Sequence, residues 1–365
     1  MFFRLFQKLR RQFGAFTLLV ALAFVPGCLH APPEPVSLST EARTARNLKT
    51  FDRAWSLVGD HYFDAKFKGL DWTQLKAKYR PEASAAADDE HLYVVINRML
   101  VELQDSHTAA GTPQESNERR ERQRARIGIR LRRFEEHWIV SDVMPKSPAD
   151  EAGVQAGWLI MARDGIPLGA NAGFSLKEGQ VARYDFVDAQ DVTKSLDIKA
   201  RTLPTGDRLD LRELDGGIVY LRFDTFERAS RRWLSEQLKA HRNAPAVIVD
   251  LRRNPGGSLF SLDITVGEFF QKTVSVGTFI KRSGTHYDEG TWQWGSAHYA
   301  GRMVVLVDGA SASSAEIFAQ ALQFHHRATL IGRKTAGAVV ASRFYGLPYG
   351  GELQIGVLDY IGLNG

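Results

Sequence analysis

Two runs with scarcely a polar residue, AVIVDL (246–251) and MVVLVD (303–308), constrain the fold of this chain most. A strand that is apolar along its whole length, not only at alternate positions, is covered on both faces, as parallel strands between helices are. Helical patterns stand beside these runs. ERASRRWLSEQLKAHR (227–242) puts Leu234, Leu238 and His241 on one side, and a second helix is expected from Phe260 to Phe270. GIVYLRF (217–223) and ATLIGRK (328–334) add further strands. From Gly216 onward, strands and helices alternate, which predicts an α/β domain.

Two regions of different character precede it, as a chain of 365 residues allows. From Glu41 to Glu118 the pattern is helical: Phe51, Trp55, Val58 and Tyr62 recur at three- and four-residue spacing, as do Leu92, Ile96, Leu100 and Leu103. From Ile127 to Leu203 the chain reads as short strands and tight turns. RIGIRL and HWIVSDV are strands, SPADEAG is a short helix with a glycine stop, and LIMARDGIPL runs into an Asp-Gly turn. The order IGI, strand, VMPKSPADEAGVQAG, strand, DG closely resembles a PDZ domain. That resemblance implies peptide binding at Ile127, Gly128 and Ile129, where free backbone N–H groups hold a carboxylate and a strand edge pairs with the peptide. The alternative is a β-rich spacer that binds nothing.

The only cysteine, Cys28, excludes a disulfide framework and thiolate metal sites. It closes a leader in which Arg4, Lys8, Arg10 and Arg11 precede an apolar run from Phe16 to Val25. The run is short of the ~20 residues that span a bilayer, and its plan is that of a secretory signal. Gly27-Cys28 resembles a bacterial lipobox, which implies a lipidated Cys28 at the mature N-terminus and a periplasmic or envelope location. The expected layout is a signal peptide over 1–28, a tether over 29–40, a helical domain over 41–123, a PDZ-like domain over 124–204 and a catalytic core over 205–365. A net charge of +5 is mild, and no basic helix interleaved with aromatics points to nucleic acid. The basic run 119–133 is expected to be a solvated interdomain segment, with anionic lipid the other reading.

VDGASASSAEIFAQAL (307–322) reads as strand end, small-residue turn and helix. Ser313 and Glu316 fit a capping box, in which the hydroxyl caps the helix and the glutamate reaches back. A serine at a helix N-terminus also suits a nucleophile, because the free N–H groups there favour an oxyanion. DLRRNPGG (250–257) offers a second donor, since Gly256 or Gly257 brings bare backbone close to a substrate.

Together these motifs, with IGRKTAG (331–337) after them, resemble the C-terminal processing (tail-specific) serine protease family. The resemblance covers Glu41 to the end. It implies a crotonase-like (ClpP/crotonase) spiral α/β core, an acyl-enzyme on Ser313, and an oxyanion hole of the Ser314 N–H with Gly256 or Gly257. The family's usual lysine base falls on Ala338, which takes no proton, and Lys334 falls on a surface neighbour. LQDSHT (103–108) resembles the tricorn protease branch, which implies His107 as general base and Ser106 as the nearest candidate for its orienting partner. An imidazole with an ordinary pKa near 6.5 suits that role. The branch's glutamate falls beyond DYIGLNG, so the chain is expected to be a fragment with an incomplete core; Glu352 and Asp359 do not match its position. No cofactor or metal is implied. The expected activity is cleavage of unfolded or C-terminally exposed polypeptides; the alternative is a non-catalytic peptide- or lipophile-binding protein on the same fold.

Overall fold

The computed structural model describes residues 38–134, 137–168, 176–205, 208–293 and 296–365. The expected signal, lipobox Cys28 and most of the tether lie outside the described residues. Helix α1 (Thr40–His61) begins at the tether's last residue and packs with α2 (Trp72–Ser84) and α3 (Asp89–Val101). Asp71 and Asp88 cap the latter two by accepting backbone N–H groups. Phe51, Val58, Tyr62, Leu92, Ile96, Leu100 and Leu103 are buried as their spacing predicts, whereas Trp55 packs from the side. Two indoles tie α1 to α2, each donating to the other's backbone carbonyl: Trp55 Nε1 to Trp72 O at 2.8 Å and Trp72 Nε1 to Trp55 O at 3.1 Å.

The helical stretch is interrupted by a short strand, β1 (Ala109–Gly111), before α4 (Pro113–Glu121). Then come β2 (Gln123–Arg126), β3 (Ile129–Phe134), β4 (His137–Val143), α5 (Pro148–Glu151), β5 (Leu159–Arg163), β6 (Ile166–Pro167), β7 (Val181–Val187), β8 (Thr193–Lys199) and β9 (Arg201–Pro204). Strands β3, β4, β5, β7 and β8 form one antiparallel sheet over its own core, which includes Val140, Trp158, Tyr184 and Phe186. Entry strand β2 pairs with exit strand β9, so this segment leaves and rejoins the chain at one place. The basic run 119–133 is not a solvated linker: it supplies the end of α4, β2 and β3. Arg119 pairs with Glu352, Arg124 with Glu118 at 3.3 Å, and Arg130 with Asp224 at 2.7 Å.

Five strands make the main sheet: β10 (Leu209–Leu214), β11 (Ile218–Phe223), β12 (Ala246–Asp250), β15 (Arg302–Val307) and β16 (Thr329–Gly332), in that spatial order. All are parallel except β10. Helix α6 (Arg228–Ala240) links β11 to β12, α7 (Leu259–Gly267) follows β12, the hairpin β13 (Ser275–Lys281)–β14 (His286–Gly290) comes next, and α8 (Ser314–Phe324) links β15 to β16. Val247, Val249, Val305 and Val307, which alternate along one face of each strand, are buried, whereas Ile248, Val304 and Leu306 on the opposite face are half-buried, so these strands are fully covered on one face only. The last strands, β17 (Ala341–Gly346) and β18 (Glu352–Ile361), join the hairpin in a second sheet, ordered β1, β18, β13 and β14 with β17 on β18. Leu353 and Ile355 of β18 complete the core of the helical region. The architecture is mixed α/β with a helical N-terminal region. No helix among the described residues is long and apolar enough to cross a membrane.

Candidate active site

Strands β12 and β15 are parallel neighbours, so the turns leaving their carboxyl ends lie side by side, where open α/β sheets place their ligands. In the turn after β15, Asp308 Oδ1 accepts the N–H groups of Ala310 and Arg253, both at 3.0 Å. Ser311, fully buried, donates its hydroxyl to Leu251 O at 2.8 Å and accepts the Asp308 N–H at 2.9 Å. Ser314 donates its hydroxyl to Gly257 O at 2.9 Å. Both neighbours of Ser313 are therefore structural. Ser313 itself has φ +53° and ψ −124°, a conformation that only a tightly held chain gives a residue with a side chain. Such backbone costs about 1–3 kcal/mol and concentrates at functional turns, including the sharp strand-to-helix turns that expose nucleophiles.

Three hydrogen bonds hold it there. The Ser313 N–H donates to Ala338 O at 2.7 Å and to Glu316 Oε2 at 3.0 Å, and Ala312 N–H donates to Asn254 O at 3.0 Å. The glutamate half of the capping box is thus formed. The Glu316 N–H is met by the Ser313 carbonyl at 2.9 Å, so that donor has a partner besides the hydroxyl. Glu316 does more than cap: its carboxylate also accepts the N–H groups of Gly337 at 2.7 Å and Ala338 at 2.9 Å. Ala338 therefore stands against the Ser313 turn without a titratable group, and Lys334 is exposed.

The facing loop is built on Asn254, wholly buried, whose Nδ2 donates to Phe223 O at 3.0 Å. A Cβ on Gly256 (φ +99°) would lie 2.7 Å from Ser313 Cβ and 2.8 Å from Ser314 N, so only glycine lets the two turns approach. Of the twin glycines, Gly256 has its N–H taken by Asn254 Oδ1 at 2.9 Å. The N–H groups of Gly257 and Ser314 have no partner among the described residues.

His107 comes from the N-terminal part of the chain, on the loop between α3 and β1. Asp105 shapes that loop: Oδ1 accepts the His107 N–H at 2.9 Å and Oδ2 the Thr108 hydroxyl at 2.6 Å. Its side chain is only 3% exposed, and Oδ1 lies 3.9 Å from His107 Nδ1. Ser106 Oγ lies 3.4 Å from the same nitrogen. Burial holds the His107 pKa below its ordinary value, while Asp105 and Glu316 pull it partly back. Glu316 thus acts on His107 through space and bonds Ser313 directly. Of the carboxylates weighed in the sequence, Glu352 is committed to Arg119, and Asp359 accepts its neighbour Tyr360's N–H at 2.9 Å. The carboxylate that sequence reading missed is Asp105, inside the motif itself.

Away from this centre, the carbonyls of Ile127 and Gly128 accept the N–H groups of Ala149 and Met144, both at 2.8 Å, while their own N–H groups have no partner among the described residues. Ile127, Gly128 and Ile129 line an apolar cavity of about 140 Å³ with Leu131, Leu176 and Tyr184. Among the described residues no three His, Cys, Asp or Glu side chains gather as metal ligands.

Residues 217–365 match the model of peptidase family S41, and residues 45–101 match that of the tricorn protease C1 domain. The carboxyl-terminal-processing protease of Picosynechococcus sp. is 27% identical over 96% of this chain and 85% of its own length. That of Synechocystis sp. is 26% identical over 84% and 75%. Among solved structures, the photosystem II D1 C-terminal processing protease shares the fold with a TM-score of 0.62 at 21% identity, covering 87% of this chain and 89% of that one.

Proposed function

The chain is a serine-type peptidase of family S41, its matched domain spanning residues 217–365, and from that premise we propose that it is an endopeptidase cleaving unfolded or C-terminally exposed polypeptides through Ser313 and His107. The observation that carries this reading is that the charge of buried Glu316, whose carboxylate accepts the Ser313 N–H, also acts on His107, although the two residues come from distant parts of the chain. His107, kept neutral by burial, takes the Ser313 proton as the hydroxyl oxygen attacks the scissile carbonyl. The N–H groups of Gly257 and Ser314 receive the oxyanion. The imidazolium then gives its proton to the leaving amine, the C–N bond breaks and an acyl-enzyme remains. A water, deprotonated by the same imidazole, attacks the ester and restores the Ser313 hydroxyl. Asp105, with Ser106 beside it, orients the ring and stabilises its charged form.

In the same proposal the segment 124–204 is a PDZ-like domain that captures peptide at Ile127, Gly128 and Ile129, the helical domain covers 41–123, and the core from 205 is crotonase-like. Export through the leader, with Cys28 lipidated, completes it. The test is hydrolysis of an unfolded protein by the wild type and by Ser313→Ala. Near-complete loss of turnover is expected, with circular dichroism unchanged. Equal turnover would remove Ser313 from the chemistry and leave it a cap worth about 1 kcal/mol.

A further inference from the structure

The nucleophile turn has a second, basic neighbour. A hollow of about 440 Å³ opens at the carboxyl ends of the parallel strands and is walled by Arg208, Arg222, Arg252, Arg253 and Arg333. Ser141 and Asp142 of β4 close it from the antiparallel sheet. A further hollow of about 550 Å³ shares Ser141, Arg253 and Asp308 with it and runs on to Gly309 and Ala310, in the turn that carries Ser313.

The charges in this wall are unequally matched. Arg252 is held by fully buried Asp250, its NH2 at 2.7 Å, and Arg222 shares Asp224 with Arg130. Asp308 spends Oδ1 on two backbone N–H groups. Arg253 has no ion pair among the described residues: both its terminal nitrogens donate at 3.3 Å to Ser141 O, a neutral acceptor. Burial, with Arg222 and Arg130 nearby, makes its charge costly, which Asp142 and Asp308 offset only in part. Arg333 has no side-chain partner among the described residues. A half-buried guanidinium without a carboxylate, beside a free one, is the setting in which an added carboxylate forms charge-assisted, paired hydrogen bonds.

We propose that this hollow is a subsite for carboxylate groups of the polypeptide substrate, held by Arg253 and Arg333 as the chain passes to the nucleophile turn. The assignment rests on the peptidase reading of that turn and adds a substrate class to it: polypeptides carrying acidic side chains or a free terminal carboxylate near the cleavage point. Arg253 is well placed to couple binding to chemistry, because it is followed directly by Asn254, which braces the glycine loop.

Binding of fluorescent disordered peptides to the full chain carrying Ser313→Ala tests this without turnover. Three peptides share one length: acidic side chains with an amidated end, their Asn/Gln counterparts with an amidated end, and the neutral peptide with a free carboxylate. Either or both of the carboxylate-bearing peptides should bind at least about tenfold more tightly than the neutral amide, as expected for a charge-assisted pair, and which does so identifies the source. The advantage should shrink severalfold on adding Arg333→Gln and also on adding Arg253→Gln. Arg333 is exposed, so its variant reports even where the Arg253 variant folds poorly. Equal affinity for all three peptides would overturn the subsite. A preference that survives both substitutions would do so as well, placing the carboxylate elsewhere, for instance at the Gly128 loop. Failure of the peptidase reading appears separately, as wild-type protein that leaves all three peptides uncleaved.

Discussion

Two opposing influences act on the His107 ring, and together they suit the general-base role proposed for it. Its side chain is 13% exposed, and loss of water disfavours the imidazolium, so the ring stays neutral at physiological pH. Asp105 and Glu316 favour the imidazolium, the form His107 takes in the proposed attack by Ser313. The sign of the pH dependence follows. Only neutral imidazole accepts the proton, and its pKa is lowered, so the acid limb of kcat/KM should lie below 6.5, the ordinary value. Asp105→Asn removes a charge that favours the imidazolium. The limb should therefore move further to acid while the plateau falls by about 10²–10⁴-fold. A pH–rate profile of both proteins checks this; an unmoved limb with an unchanged plateau would take Asp105 out of the site. Asp105 was overlooked in the sequence because an aspartate after a helix reads equally well as a turn former, which it also is.

At the scale of elements, the site is the meeting of two turns that neighbouring parallel strands are bound to bring together. Asn254 is the brace of one of them. Its amide satisfies Phe223 O and Gly256 N–H at once, in a place with no water access. Asn254→Ala leaves both buried groups unpaired and should cost about 3 kcal/mol of stability. Chemical denaturation measures that loss. On the proposed mechanism, activity should fall mainly in kcat, since the loop proposed to receive the oxyanion shifts while the segment proposed to capture peptide stays. The parallel strands, the two turns and the helices were legible from apolar runs, glycine pairs and three- to four-residue spacing. The division of labour between Gly256 and Gly257 was not, because it depends on which N–H the Asn254 side chain takes. Nor was Glu316 as more than a cap: its bonds to Gly337 and Ala338 arise from a loop that only the closed sheet brings back.

For the whole molecule, the proposed mechanism requires that His107, carried after the N-terminal helices, be held against Ser313 of the α/β core. Strand β18 is the bridge. It pairs with β1 through Ala109–Gln354 and with β13 through Phe279–Tyr360, and its Leu353 and Ile355 enter the helical core. Such pairing between distant segments leaves no local trace, so the sequence showed three regions but not the strand that ties the first to the last. At its centre Gly356 donates its N–H to Thr108 Oγ1 at 3.0 Å and accepts the Phe63 N–H at 2.9 Å. A Cβ there would lie 2.8 Å from Asp105 Oδ2 and 2.7 Å from Val340 Cγ1. Gly356→Val should therefore displace the Asp105–His107 loop and leave the parallel sheet standing. A shift of about an ångström at the base is enough for a loss on the order of 10²-fold in kcat. Hydrogen exchange should show β11, β12 and β15 protected as in the wild type, with 103–111 and 352–358 exchanging faster. A variant with those loosened segments and full activity would mean that His107 does its work, if any, without being held by β18. Protection unchanged everywhere, with activity retained, would mean that the loop absorbs the added side chain.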